Sequence, residues 1–381
     1  DSLNKIKQTN IPFTQNLNLH IATPGDFDNQ AAAVPKDFKE HRRLFSESCT
    51  NKESAGKDSI KDFLNFFMPG ELIKNGYTFP LEFEEISLQE ERGHLAVVHI
   101  DGNGFGMLFQ KCASLEMARQ LSITVDELSK KTIHQLIHNH IICKNDKNEI
   151  CNIKFKDAFG YPLKNKKLPF RPIIISGDDI TFVCDGKLGI YLAEKCIDIF
   201  TSDENIRKIK EINPDAKITA CAGVAIVKRK FPFIKAYVLA EELCKAAKKM
   251  AKEQPSVCSA IEYHIANTGF AGTWDSIQQS YYQQGKTNLH LGPYLFTNDN
   301  SQKTIHKLKS AAKYYSKEWS KNKLATLKRV SWDTEKEQEI FLNESELQNP
   351  KHVLHNRKQY TQLETEYDSI ELIDFYPNSL L

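Results

Sequence analysis

The chain has 381 residues, 40% of them hydrophobic, and its 51 Lys and Arg against 49 Asp and Glu leave a formal charge of +2. That length allows two or three domains, or one elaborated one, with a substantial core. A membrane-spanning chain is excluded: no stretch approaches ~20 consecutive apolar residues, and no charged-then-apolar signal segment opens the sequence, so a soluble, cytoplasmic protein is expected. The first residue is Asp1 rather than Met, and a natural start upstream is expected. The nine cysteines are odd in number, fall mostly inside apolar patterns and form no C-x-x-C pair, which is reduced, cytoplasmic usage.

Residues 1 to about 40 are polar, rich in Asn and Gln and without sustained periodicity, and read as irregular. From Asp37 to Phe67 charged and aromatic residues recur at helical spacing up to the break Pro69-Gly70, a helical lead-in. Leu95 to Ile100 is a buried-strand pattern that runs into Asp101-Gly-Asn-Gly-Phe-Gly106. A long helical stretch follows from Met107 to Ile142, with a break expected near Ser122 to Asp126 and Thr124 starting its second half. His138, His140, Cys143 and Cys151 have the side chains of a zinc site, but the reading as a helix end is favoured. Asn145 to Leu168 is polar and Lys-rich, and fits an inserted hairpin.

Next come two short apolar runs, Ile173 to Ile175 and Ile180 to Val183, joined by Ser176-Gly-Asp-Asp179 as a tight turn. Gly177 has no Cβ, so it takes positive φ and lets another group approach the backbone. Leu188 to Phe200 is helical, Thr201 to Pro214 a charged connection, Lys217 to Val227 a strand with small residues on which a helix can pack closely, Phe233 to Lys252 a strong helix, and Cys258 to Tyr263 a last strand. The order β-α-β-β-α-β-α-β opens with the ferredoxin-like split arrangement, an α+β fold. Beyond residue 265 glycines mark loops. Thr268 to Asp275 has the small and aromatic residues of a base pocket, against the commoner reading as a core anchor. Helical patterns resume at 302–330 and 351–366. The domains expected are a lead-in at 1–92, a palm-like domain at 93–265 and a loop-rich, helical C-terminal region at 266–381.

The chemistry concentrates in three acids. Asp-Gly and Gly-Asp pairs are ordinary turn residues, and either stretch alone reads as a turn. If the two strands lie side by side, about 4.8 Å apart, Asp101 stands beside Asp178 and Asp179. Three carboxylates on adjacent strand ends suit a hard divalent cation, Mg²⁺ or Mn²⁺, with substrate phosphates as further ligands. Backbone amides from Gly102 through Asn103, Gly104 and Phe105 to Gly106 stand where a helix begins and are expected to accept phosphate oxygens. Between Lys303 and Arg329 almost every charge is positive, which reads as a solvated face by default and as a footprint for RNA on the sharper view.

With these residues in view, the chain resembles the catalytic palm of the CRISPR-associated polymerase/cyclase family, the large subunit of type III effector complexes, and in particular its second palm domain. The carriers are Val98-His-Ile-Asp-Gly-Asn-Gly104, Leu168 to Asp179 and Lys217 to Ala225, within His94 to His264. The resemblance, shared with diguanylate cyclase palms, implies two Mg²⁺ held by Asp101, Asp178 and Asp179. It also implies a lysine offered to the triphosphate by the helix Leu239 to Lys248, namely Lys248 with Lys245 behind it. Ser176 stands where the family turn has its first glycine, beside Gly177, which leaves the acids intact but narrows the backbone path by one Cβ. No His-Asp pair of a nuclease domain occurs, and the acidic motif occurs once, so a homodimer or a partner palm is expected to complete the assembly. The activity implied is nucleotidyl transfer from ATP or another NTP into a cyclic or linear oligonucleotide signal in antiviral defence. Two alternatives stand beside it: a non-catalytic palm that binds nucleotide or RNA as a scaffold, and a template-dependent polymerase of primase type.

Overall fold

The computed structural model describes residues 32–38, 41–48, 50–51, 62–87, 93–144, 150–153, 166–266, 272–284, 287–297, 303–348 and 366–377. The chain divides into two compact units, Asp1–Asn65 and Phe66–Leu381. In the first, strands β1 (Ala32–Phe38) and β2 (His41–Ser46) pair antiparallel. Extended strands therefore stand up to Ser46, where the sequence suggested an irregular start and then a helix from Asp37, whereas the described residues 47–48, 50–51 and 62–67 of the lead-in are helical. The aromatic and charged spacing there serves both periods over so short a run.

The second unit includes the short helix α1 (Gly70–Lys74) near its start and is organised around β3 (His94–Asn103). β7 (Asp179–Asp185) lies antiparallel on one side of β3 and β8 (Thr219–Lys228) antiparallel on the other; β6 (Phe170–Ser176) extends the sheet beyond β7, and β9 (Ala260–Ala266) runs parallel to β8. The sheet order is β9-β8-β3-β7-β6, continued past β9 by the two-residue strand β12 (Tyr294–Leu295), after a small antiparallel pair, β10 (Gln283–Gln284) and β11 (Thr287–Asn288). The expected ferredoxin-like palm is thus present, with its first strand in the middle.

Several element boundaries differ from expectation. The helical stretch after β3 breaks early: α2 (Phe105–Gln110) stops, and α3 (Leu115–Leu136) starts afresh at Ser114, whose Oγ accepts from the Met117 amide at 3.1 Å. This N-cap satisfies a donor that the run through Ser122 to Asp126 never exposes, so α3 continues through Thr124. β4 (Ile142–Lys144) and β5 (Ile150–Ile153) pair antiparallel, so a hairpin starts earlier than the one expected at Asn145 to Leu168, of which 145–149 and 154–165 lie outside the described residues. After α4 (Gly189–Phe200), the charged connection contains helix α5 (Asp203–Ile212), which buries Asn205 and Ile209 from an otherwise charged surface.

Helix α6 (Phe233–Lys252) lies on the opposite face of the sheet from α3 and α4. It buries Leu243 and Ala240 fully, with about 1.5–3 kcal/mol for a leucine so placed. Gly223 of β8 makes this possible: a Cβ there would stand 2.0 Å from the Ala240 carbonyl oxygen and 2.4 Å from the Cys244 nitrogen. The helix backbone rests directly on the strand, which sets how far its side chains reach across β3.

Beyond α7 (Trp274–Ile277), the C-terminal region consists of α8 (Ile305–Glu318), α9 (Lys321–Val330), α10 (Glu335–Gln348) and α11 (Tyr367–Phe375). The last two were not expected, and the helix anticipated at 351–366 falls almost wholly outside the described residues. Trp274 is a core anchor, 4% exposed, with its amide donating to Glu242 Oε2 at 2.5 Å; 268–271 of the anticipated base pocket are outside the described residues. A sealed polar network fixes α11. His290 donates from Nε2 to Glu262 Oε1 at 2.8 Å and from Nδ1 to Asp368 Oδ1 at 2.9 Å, and Asp368 also accepts from the Leu291 amide at 2.8 Å and from the Tyr294 hydroxyl. Two lysines of the basic stretch are engaged in the same region, Lys309 with Glu194 at 2.7 Å and Lys328 with Glu371 at 2.6 Å.

Candidate active site

Asp101 and Asp179 are direct cross-strand partners in the β3–β7 register, and the Gly102 amide donates to the Asp178 carbonyl at 3.2 Å. A Cβ on Gly102 would fall 2.8 Å from that of Asp178 and 2.5 Å from the Phe105 ring, so only glycine lets the two acidic segments approach this closely. In the turn, Ser176 pairs with Asp179 and Gly177 has φ +60, the first central position of a II′ hairpin. Ser129, on the buried side of α3, donates to the Gly177 carbonyl and braces the turn from behind.

From the opposite face, α6 brings Lys248 onto the Asp101 carboxylate as an ion pair, with side chains 24% and 28% exposed. Lys245, one turn earlier, is exposed. Among the described residues no other Lys, Arg or His forms an ion pair with the three acids. Asp178 has its pKa raised, first by burial and then by the charges of Asp101 and Asp179, with Lys248 opposing. That of Asp179 is also raised, by loss of water and by Asp101. The acids repel one another in a half-dried recess, which one ammonium only partly relieves.

Not every residue singled out in the sequence turns toward the acids. Asn103 donates from Nδ2 to Thr219 Oγ1 at 2.9 Å and to Cys221 Sγ at 3.2 Å, a pin between β3 and β8. Phe105 is buried against Phe200, with ring centroids 6.1 Å apart. Gly104 takes φ +84 as the N-cap of α2, and Gly106 is exposed in a helix only six residues long, whose dipole is correspondingly small. His140 meets the Tyr191 hydroxyl at 2.8 Å, while the side chains of Cys143 and Cys151 are outside the described residues.

Sequence reasoning missed a second polar layer. His99, two residues before Asp101 and on the same face of β3, stands 3.0 Å from Thr181 Oγ1 through Nδ1 and meets the Tyr237 ring edge to face at 5.9 Å. Burial lowers its pKa, against the opposing charges of Glu241 and Asp101. Tyr237 in turn donates to Glu241 Oε1 at 3.1 Å. Counting back from Lys248 in helical steps reaches Glu241 and Tyr237, and alternation back from Asp101 reaches His99. Those periodicities were the available signal.

Among the described residues no group of three or more His, Cys, Asp and Glu stands ready-made to hold a metal ion. The donor chemistry nevertheless fits a hard cation: all three side chains offer oxygen, and two are held in a state that added positive charge would relieve.

A central β3 flanked by antiparallel β7 and β8, with acids on adjacent strand ends, defines a palm of the nucleotide-cyclase type. Residues 94–257 match the family model of the Cas10/Cmr2 second palm domain. Among curated proteins none matches the chain. Among solved structures, a Csm1–Csm4 cassette in complex with cA3 is similar at 14% identity and TM-score 0.39, over 77% of this chain and 37% of that one. A cassette in complex with AMPPNP gives 13%, TM-score 0.37, 76% and 38%. Csm1 of T. onnurineus gives 11%, 0.33, 79% and 40%. The chain therefore spans about two fifths of the length of these proteins. No helix among the described residues is long and apolar enough to cross a membrane.

Proposed function

We propose that this palm is a divalent-cation-dependent nucleotidyltransferase that joins or cyclises nucleoside triphosphates, ATP first among them, into an oligonucleotide signal of a CRISPR-type antiviral effector, with release of pyrophosphate. The observation that carries this reading is the register pairing of Asp101 with Asp179, Asp178 adjacent and Lys248 reaching across from α6. The family match over 94–257 supports it. Asp101, Asp178 and Asp179 would hold Mg²⁺ or Mn²⁺, which when bound supplies charge for an in-line phosphoryl displacement and eases deprotonation of the attacking hydroxyl. Lys248 then turns from Asp101 toward the triphosphate, with Lys245 as a more exposed second charge. Gly177 and Ser176 hold the turn open at the carboxylate pair. A second copy of this chain, or another palm subunit, presents the second nucleotide.

The second reading is a non-catalytic palm that holds nucleotide or RNA as a scaffold. The ion pair already on Asp101 favours it, because a neutralised acid needs no metal. Incubating the pure protein with each NTP and Mg²⁺ or Mn²⁺ and identifying products by mass spectrometry decides between the two. An oligonucleotide product with pyrophosphate supports the enzyme. Nucleotide binding without turnover under every condition, candidate partners and RNA included, supports the scaffold.

A further inference from the structure

We infer that Lys248 is a built-in counter-cation of the acidic recess, which keeps a free divalent cation off Asp101 and yields to it when a triphosphate takes up the ammonium. The inference rests on the nucleotidyltransferase reading above and adds how metal and nucleotide depend on one another. Among the described residues the Lys248 ammonium forms its ion pair with Asp101 alone. Asp101 is the acid that the register sets opposite Asp179, and its neighbour Gly102 holds the Asp178 carbonyl, so a cation shared by the three acids needs the oxygens that Lys248 occupies.

The fold fixes the root of this lysine. Gly223 seats α6 at Ala240 and Cys244, and the Cys244 thiol donates to the Cys221 carbonyl at 3.2 Å. Cys221 is the residue of β8 paired with Asp101, so helix, strand and acid are pinned at one level. Lys248 follows Cys244 by one helical turn, and its backbone has no room to withdraw. Release can come only from rotation of the side chain, a flexible four-carbon stem that is only partly buried here.

A divalent cation that approaches alone meets a like charge and an acid whose oxygen is already taken. A triphosphate changes both terms, because its oxygens accept charge-assisted bonds from the ammonium and so open Asp101. Each ligand thereby removes an obstacle to the other, and their affinities are coupled reciprocally, by a factor in the usual range of about 5 to 150. This coupling adds to the direct attraction between metal and phosphate. Lys245 cannot supply it: it is exposed one turn earlier and forms no ion pair with the acids among the described residues.

The test titrates the full chain with Mn²⁺ alone and follows free Mn²⁺ by electron paramagnetic resonance. Lys248→Ala should bind Mn²⁺ about tenfold more tightly than wild type, although the same variant binds inorganic triphosphate less tightly; a folding defect would weaken both. Lys245→Ala, which removes an equal but exposed charge, should change Mn²⁺ affinity by no more than about threefold at physiological salt. In wild type, saturating Mn²⁺ should speed reductive methylation of Lys248 by formaldehyde, mapped by mass spectrometry. Equal Mn²⁺ affinity in wild type and Lys248→Ala, or methylation of Lys248 unmoved by bound Mn²⁺, overturns the inference while the proposed activity stands on its own product assay. The expected shifts in a protein that makes no product support the inference and remove the activity. A chain that binds no Mn²⁺ in any variant, with or without inorganic triphosphate, removes the inference and the metal-dependent reading together.

Discussion

Glu262 and Asp368 carry the same carboxyl chemistry as Asp178 and Asp179, yet the molecule treats the two pairs in opposite ways. Around Glu262 and Asp368 the structure closes completely: His290 bridges them, the Tyr294 hydroxyl and the Leu291 amide complete Asp368, and exposure of the three side chains is 1% or less. Burial alone would lower the His290 pKa, but the two carboxylates override it and raise it well above the usual value. Around Asp178 and Asp179 the strands dry the carboxylates partly, place Asp101 beside them and supply one lysine. A buried network bridged by His290 secures a tertiary contact, here α11 to β9, even though Glu262 Oε2 has no hydrogen-bond partner among the described residues. An unsatisfied, accessible one has no structural purpose that removing it would harm.

The sharpest break of that contrast is the double substitution Asp178→Ala/Asp179→Ala. Product formation should fall by about a thousandfold or more, since the carboxylates would hold the charge that stabilises the transition state by several kcal/mol. Thermal stability should stay level or rise slightly in metal-free buffer. Product at the wild-type rate, measured by chromatography, would make the acidic turn structural.

His290→Ala should do the reverse, costing about 3–5 kcal/mol by leaving two carboxylates buried without their cation. Calorimetry should show a Tm lower by on the order of 10 °C. Because the folded-state pKa of His290 lies above its unfolded value near 6.5, the stabilisation is complete below that pH and declines as pH rises through the folded value. The difference between wild type and variant should therefore shrink in alkaline buffer. A Tm equal to wild type at pH 6 would show that the network does not hold α11.

Lys248→Ala sharpens the comparison from the cation's side. Loss of one charge-assisted contact should weaken triphosphate binding by about 1.5–3 kcal/mol, roughly ten- to a hundredfold in affinity by calorimetric titration. Turnover should fall partially, well short of the double acid variant. An affinity unchanged from wild type would leave the lysine as a partner of Asp101 only.

The smallest effect expected is on pH dependence without metal. Asp178 and Asp179 carry raised values, so the folded state binds more protons than the unfolded one above about 3.8, and stability falls as pH rises through the folded values. Relative to wild type, the double alanine variant should gain stability between pH 4 and neutrality, and added Mg²⁺ should narrow the gap. A gap independent of pH would mean that the acids do not repel one another in the folded chain.

Local pattern in the sequence was sufficient for the strand–turn–strand at the acids, for α6 over Phe233–Lys252 and for the ferredoxin-like order, because period-two and helical repeats are written over many consecutive residues. It failed at Ser114, where one capping side chain outweighs helix propensity on either side, and at α5, whose two buried residues are too few to mark a face. It had no access to the partnership of Glu262, His290 and Asp368, separated by 28 and 78 positions. Nor did it reveal the polar layer of His99 and Glu241, which belong to different elements. The sequence by itself determined which strands end in acids and which helix carries the lysines, since those are properties of contiguous residues. Only the tertiary structure decided that Asp101 faces Asp179, that Lys248 lands on Asp101, and that one acidic cluster is sealed while the other stays open. Those outcomes depend on strand register and on a helix seated against Gly223, and both are settled by packing between distant segments.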